Sequence, residues 1–246
     1  MPIRFRIRWI PLLATVIVAG IGVSLGQWQT RRGDAKEAIQ AKMAARQSAP
    51  ALTQENVALV DLAQAEFRHV KLRGRFVPGW VTYLENRPYN GVPGFYVLMP
   101  FKISGAAGLA GSAILIERGW APRDANERTR VPVVPTPTDE IEIEGVIRSD
   151  AGHLLQLGAA EAPRPGAIMQ NLDIAAYARA SQLPLAPFVV EQSGEMKDGL
   201  VRDWPAPSLG IERHRGYAVQ WYALALMAVI FFVVTGFRSG KKQRAG

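Results

Sequence analysis

The chain has 246 residues, 48% of them apolar, no cysteine and a formal net charge of +8. The lack of cysteine excludes disulfides, thiolate metal sites and a cysteine nucleophile. Seven of the 29 Lys and Arg residues flank two apolar runs, so the stretch between the runs is close to neutral and offers no basic face for nucleic acid.

The first apolar run, "WIPLLATVIVAGIGVSLGQW", spans Trp9 to Trp28 without a charge. A helix of that length rises about 30 Å, enough for the hydrocarbon layer of a bilayer. Tryptophan stands at each end, where amphipathic rings favour the interface, and Pro11 is tolerated in a first helical turn. The basic start also suits a cleaved signal peptide, but no clean small-x-small site follows "GVSLG", so the run is read as an anchor. "GIGVSLG" is no dinucleotide loop, because it lies inside the apolar run. Gly22 and Gly26 form a small-x-x-x-small pair of the kind that marks helix contact, here with the second span.

Residues 29–48 are rich in Ala, Lys, Glu and Gln and read as a helix continuing the first span out of the membrane. "APALTQE" breaks it, and residues 59–67 form a short helix. Strand patterns then dominate: "HVKLRGRFV" (69–77), "WVTYLEN" (80–86), "GFYVLMPFKI" (94–103), "SAILIERGW" (112–120) and "EIEIEGVIR" (140–148), the last alternating acid with isoleucine. "YNGVPG", "SGAAGLAG" and "VPVVPTPTD" are turns or loops between them. "NLDIAAYARAS" (171–181) is a short helix with Asp173 as N-cap, and "LAPFVVEQ" a later strand. No long βαβ alternation is present, which favours a mainly antiparallel sheet with a few helices.

The second apolar run, Tyr217 to Phe237, is uncharged and apolar around the whole helical circumference near Val229 to Val234, as a membrane span requires. Arg4, Arg6 and Arg8 precede the first run, and Arg238, Lys241, Lys242 and Arg244 follow the second. Such tails stay cytoplasmic, despite Arg31, Arg32, Lys36, Arg213 and Arg215 on the opposite side. The expected fold class is therefore α+β. Two transmembrane helices (9–28 and 216–237) flank one mainly antiparallel β extramembrane domain (29–215), with basic cytoplasmic tails at 1–8 and 238–246. The expected location is the bacterial inner (cell) membrane, with the domain in the periplasm or its organellar equivalent.

No enzyme signature emerges. His69, His153 and His214 are scattered, without H-E-x-x-H or a close acidic cluster, and the serines lack a G-x-S-x-G setting. Glu117, Arg118 and Trp120 end a candidate strand, and Arg87 follows another. Spacing favours a solvated strand end with a core tryptophan over a docking surface. His214 stands at the entry to the second span, with Tyr217 and Trp221 at i+3 and i+7 on the same helical face. A neutral imidazole with aromatic neighbours at a bilayer surface can ligate haem iron. The plainer reading makes these rings an interfacial belt.

Four stretches carry a resemblance: "LGQWQTRR" (25–32), "NRPYNGVPGFYVLMP" (86–100), "ILIERGWAP" (114–122) and "HRGYAVQW" (214–221). In their order and in the two-span layout the chain resembles the surfeit-locus family of cytochrome c oxidase assembly proteins. The resemblance implies a non-enzymatic role in maturing haem–copper oxidase, with transient binding of haem a and help in its insertion into the main oxidase subunit. It implies His214 as the haem contact and iron ligand, with Trp28, Tyr217 and Trp221 as neighbours. The implied partners are that subunit, the machinery that makes haem a, and membrane lipid. Gly119 and Trp120 match a family motif. The chain departs from the family in carrying Glu212 and Arg213, where asparagines are frequent, and Glu117 before "RGW". Two rival roles remain: a membrane scaffold that steadies an assembly intermediate without touching haem, and a tethered periplasmic enzyme.

Overall fold

The computed structural model describes residues 7–105, 108–155, 161–205 and 209–242, the last four of these as backbone only. In chain order the elements are α1 (Trp9–Gln47), β1 (Leu52–Thr53), a 3-10 turn (Val57–Leu59), α2 (Leu62–Ala65), β2 (His69–Phe76), a 3-10 turn (Pro78–Trp80), β3 (Thr82–Leu84), β4 (Gly94–Ile103), β5 (Ala113–Pro122), β6 (Ile141–Arg148), β7 (Ile168–Met169), α3 (Ile174–Ser181), β8 (Leu185–Ser193) and α4 (Ile211–Lys242). Two long apolar helices thus flank a β-rich centre in an α+β layout. The chain forms two units, Met1–Lys42 with Pro207–Gly246, and Met43–Ala206. Of the basic tail residues, Arg4, Arg6 and Arg244 and the side chains of Lys241 and Lys242 lie outside the described residues.

The first unit is built from α1 and α4. Both are long and apolar enough to cross a membrane, and only 11% of the most apolar stretch of each is buried. A soluble core helix would hide that surface; these helices present it outward, as a lipid environment favours. Helix α1 runs without a break for 39 residues, about 58 Å, far more than a hydrocarbon layer. The polar stretch after Trp28 therefore continues the span as one rod.

The two helices meet along a seam of small residues. A Cβ on Gly22 would lie 3.0 Å from both the Ala225 Cβ and the Trp221 carbonyl oxygen, and one on Gly26 would fall 2.6 Å from the Tyr222 ring. Only glycine admits this approach, so the Gly22–Gly26 pair marks a helix contact as the sequence suggested. On α1 the seam runs Gly22, Gly26, Gln29, Gly33. On α4 it runs His214, Ala218, Trp221, Ala225. Both follow a 4-3-4 spacing, which keeps one stripe of a helix facing a partner.

The second unit is a closed barrel. Its sheet order is β1-β2-β6-β8-β5-β4-β3-β7, and β2 also pairs with β4, which joins β2, β6, β8, β5 and β4 into a ring. Strands β6-β2-β4-β5 form a Greek key. Five strands cannot alternate direction all the way round a ring, so one neighbouring pair must be parallel. That pair is β5 with β8. Short β1 and β7, which no sequence pattern announced, add parallel pairings to β2 and β3. The sheet is thus mixed, with antiparallel pairing dominant. Gly74 sits where β2 closes on β4; a Cβ there would meet the Lys102 carbonyl oxygen at 2.1 Å.

Strand β2 alternates exposed and buried residues throughout, and on β6 Ile143 is buried between exposed Glu142 and Glu144, as the period of two requires. The largest core cluster includes Leu72, Phe101, Ile114, Ile116, Ile147 and Val190. A second, with Leu84, Leu98, Leu115 and Val189, packs on Tyr177 of α3. Asp173 caps α3 by accepting from the Ala176 N–H at 2.5 Å, and Gln182 ends it in a left-handed conformation. Tyr177 donates to the Trp80 carbonyl and meets its ring edge-on. Trp80 itself lies in the 3-10 turn, so β3 is shorter than the 80–86 expected.

Candidate functional site

His214 lies in the first turn of α4, where its N–H reaches back to the Gly210 carbonyl. The half-buried imidazole turns toward α1. Its Nδ1 is 2.7 Å from Oε1 of Gln29. The neighbouring seam positions make this approach possible: a Cβ on Gly33 would come to 3.8 Å from the His214 Cβ, and Thr30 Oγ1 stands 3.4 Å from the Tyr222 hydroxyl. One residue further, Arg215 bridges to Asp34 at 3.1 Å and to Glu37 at 2.7 Å. These contacts are exposed and individually weak, but they tie the start of α4 to α1 beyond the apolar stretch.

A carbonyl oxygen can only accept, so a hydrogen bond to Gln29 Oε1 requires the ring proton on Nδ1. Nε2 then carries the lone pair, the form a metal binds. The other proposed site residues are placed differently. Tyr217 and Trp28 each keep 47% of their surface exposed. The Arg32 guanidinium sits 5.8 Å from the Trp28 ring centroid. Trp221 is half-buried, and its carbonyl oxygen faces Gly22. The structure thus pairs His214 with Gln29, a residue that sequence reasoning passed over in favour of its neighbour Trp28. The 4-3-4 spacing from Gly22 and Gly26 through Gln29 was the available signal.

The charged residues around Trp120 differ most from expectation. Glu117 and Arg118 are neither a solvated strand end nor a docking surface: they are 2% and 0% exposed. Between Val97 and Leu98 the register of β4 on β5 shifts, so Arg118 is an extra residue in a bulge. The bulge lets two successive charged side chains both be buried. Gly119 follows at φ +152, and the strand-like bridge Trp120–Val201 brings Leu200 so close that a Cβ on Gly119 would meet the Leu200 Cβ at 2.7 Å. This close approach explains the glycine of the "RGW" stretch.

Arg118 donates to Asp198 at 3.0 Å, to the Pro135 carbonyl at 2.8 Å and to Thr136 Oγ1 at 2.7 Å, and its guanidinium lies 4.6 Å from the Phe76 ring centroid. The Arg87 guanidinium donates to the Gly152 carbonyl at 2.8 Å, and the Arg87 backbone carbonyl accepts from the Trp120 indole N–H at 2.7 Å. Glu117 stands in register with Glu191 of the parallel strand β8. Burial first, then the Glu191 charge, pushes the Glu117 carboxyl up to about 8, with Arg87 and Arg148 opposing. These buried charges bind the strand ends to the segments that cross them. Among the described residues, no group of three or more His, Cys, Asp or Glu side chains is gathered to hold a metal ion.

A family model described as the SURF1 family matches residues 16–226. A "SURF1-like protein" of Rickettsia prowazekii (strain Madrid E) is 25% identical over 229 residues, 91% of this chain and 87% of its own. One from Rickettsia conorii (strain ATCC VR-613 / Malish 7) is 26% identical over 225 residues, 86% and 85% of the two chains. A third, from Dictyostelium discoideum, is 28% identical over 120 residues, 46% and 43%. Trp28, Gln29, His214 and Trp221 lie within the range that the family model spans.

Proposed function

Since the chain belongs to the SURF1 family, known as oxidase assembly factors, we propose that it is a membrane-anchored assembly factor for haem–copper cytochrome c oxidase. In this reading it takes haem a as cargo near His214 and aids its insertion into the main oxidase subunit. It acts by binding rather than by turnover. The barrel domain lies in the periplasm, both basic tails lie in the cytoplasm, and the partners are the main oxidase subunit and the machinery that makes haem a.

The observation that carries the reading is the His214 imidazole held at the polar end of the helix seam, with Nδ1 on Gln29 at 2.7 Å. A porphyrin brings four nitrogen ligands to its iron and asks the protein for an axial one. A single imidazole with Nε2 as its lone-pair atom suits that demand. A bare divalent ion would want several protein ligands together. Haem a supplies the redox-active iron that the oxidase uses; this chain's part is to hold and orient it. Trp28, beside Gln29, and Tyr217, one turn along α4 from His214, supply aromatic surface near the imidazole, and Trp221 supplies more two turns along the same helix.

The scaffold reading has one observation in its favour. Tyr217 and Trp28, with nearly half of their surfaces open, are also what an interfacial belt needs. Complementation separates the two. In cells lacking this protein, oxidase should assemble poorly, and wild type should restore haem a in the main subunit while His214→Ala should not. Full restoration by His214→Ala would favour the scaffold. Normal oxidase in cells lacking the protein would oppose both.

A further inference from the structure

We propose that Gln29 is a positioning residue for His214: its side-chain carbonyl holds the imidazole in the Nδ1–H tautomer and presents Nε2 to an axial site. The inference rests on the haem reading above for its purpose, but not for its geometry. Free imidazole side chains favour the opposite tautomer, with the proton on Nε2, so leaving Nε2 bare requires an acceptor at Nδ1. The Gln29 oxygen is that acceptor, at 2.7 Å. The two residues stand on different helices of the same unit. Their distance is fixed by the glycine seam, with Gly26 below and Gly33 above the pair. Metal-binding histidines commonly donate their second N–H to a carbonyl or carboxylate, which fixes the ring and raises its basicity. An amide carbonyl on the facing helix does this without placing a further charge beside Arg215, Asp34 and Glu37.

The test is 15N NMR of the histidine rings in the full chain, in detergent, without haem, at about pH 9 where imidazoles are neutral. Of the three histidines, His214 is assigned by its loss in His214→Ala. Wild type should show Nδ1 as the protonated nitrogen. Gln29→Leu should move the proton largely to Nε2, while Gln29→Glu, whose carboxylate also accepts, should keep it on Nδ1. Circular dichroism confirms that each variant folds. In titrations with ferric haem a, Gln29→Leu should weaken binding roughly 10- to 100-fold, with Gln29→Glu closer to wild type. Wild-type His214 protonated on Nε2, or a tautomer that Gln29→Leu leaves unchanged, overturns the proposal whatever haem does. An Nδ1–H tautomer in a protein that binds no haem a leaves the positioning role standing and contradicts the haem reading instead.

Discussion

Arg118, in the bulge of β5, and Asp198, on the segment crossing its end, form an ion pair at 3.0 Å with both side chains shielded from solvent. Arg202 reaches the same carboxylate oxygen at 2.5 Å. One aspartate therefore pairs with two guanidinium groups and offsets one of their two charges. Its removal strands a buried charge, a loss of about 3–5 kcal/mol by the usual behaviour of such pairs. Asp198→Ala should lower the stability of the barrel by that amount in denaturant unfolding of the detergent-solubilised protein. A loss below about 1 kcal/mol would show that water reaches the pair.

Glu117 makes stability depend on pH. Its carboxyl is raised from 4.5 to about 8, chiefly by burial. Between those values the folded chain binds a proton that the unfolded chain has released, so stability falls as pH rises through this window. The full span is worth up to about 5 kcal/mol. Glu117→Gln should remove this dependence and be more stable than wild type above about pH 6. Unfolding curves taken at several pH values check it; parallel profiles for the two proteins would contradict the burial argument.

The helix seam should tolerate no added bulk. Gly22→Val must push against the Ala225 methyl and a backbone carbonyl, and Gly26→Val against the Tyr222 ring. Overpacking of this kind costs about 1–3 kcal/mol. Spin labels on α1 and α4 should move apart in both variants by pulsed EPR, a clean experiment in a chain without native cysteine. Unchanged label distances would show that the helices are not held by this contact.

Much of the β domain is legible in its sequence because burial on one face imposes a period of two. Strand β4 occupies the residues that "GFYVLMPFKI" suggested, and β6 keeps its glutamates wet and Ile143 inside. Asp173 signals the start of α3 because capping is a local interaction. The burial of Glu117 and Arg118 is not legible in the same way. Residue type places charges outside, and what covers them comes from distant segments, Pro135 and Asp198 among them. A bulge also breaks the alternation that pattern reading depends on. The parallel β5–β8 pairing follows from closing a ring of five strands, a demand no single stretch expresses. For the candidate site, the position of His214 was readable from the apolar run it precedes. Its partner Gln29 was readable only from the spacing of the glycines around it, against the stronger pull of an adjacent tryptophan.

A capping test bears on the outer layer of the barrel. Asp173→Ala removes the acceptor for the Ala176 N–H and should cost about 1 kcal/mol. Hydrogen exchange should then rise in α3 ahead of the barrel strands, since local opening follows local stability. Uniform exchange across both would mean that α3 opens only with the whole domain.

The central claim is that His214 binds haem a, and the absorption spectrum of protein purified from membranes that make haem a tests it most directly. The account predicts close to one haem a per chain in the wild type, lost in a folded His214→Ala variant. Haem a retained at full occupancy without His214, or a wild-type protein purified free of haem from such membranes, would contradict it.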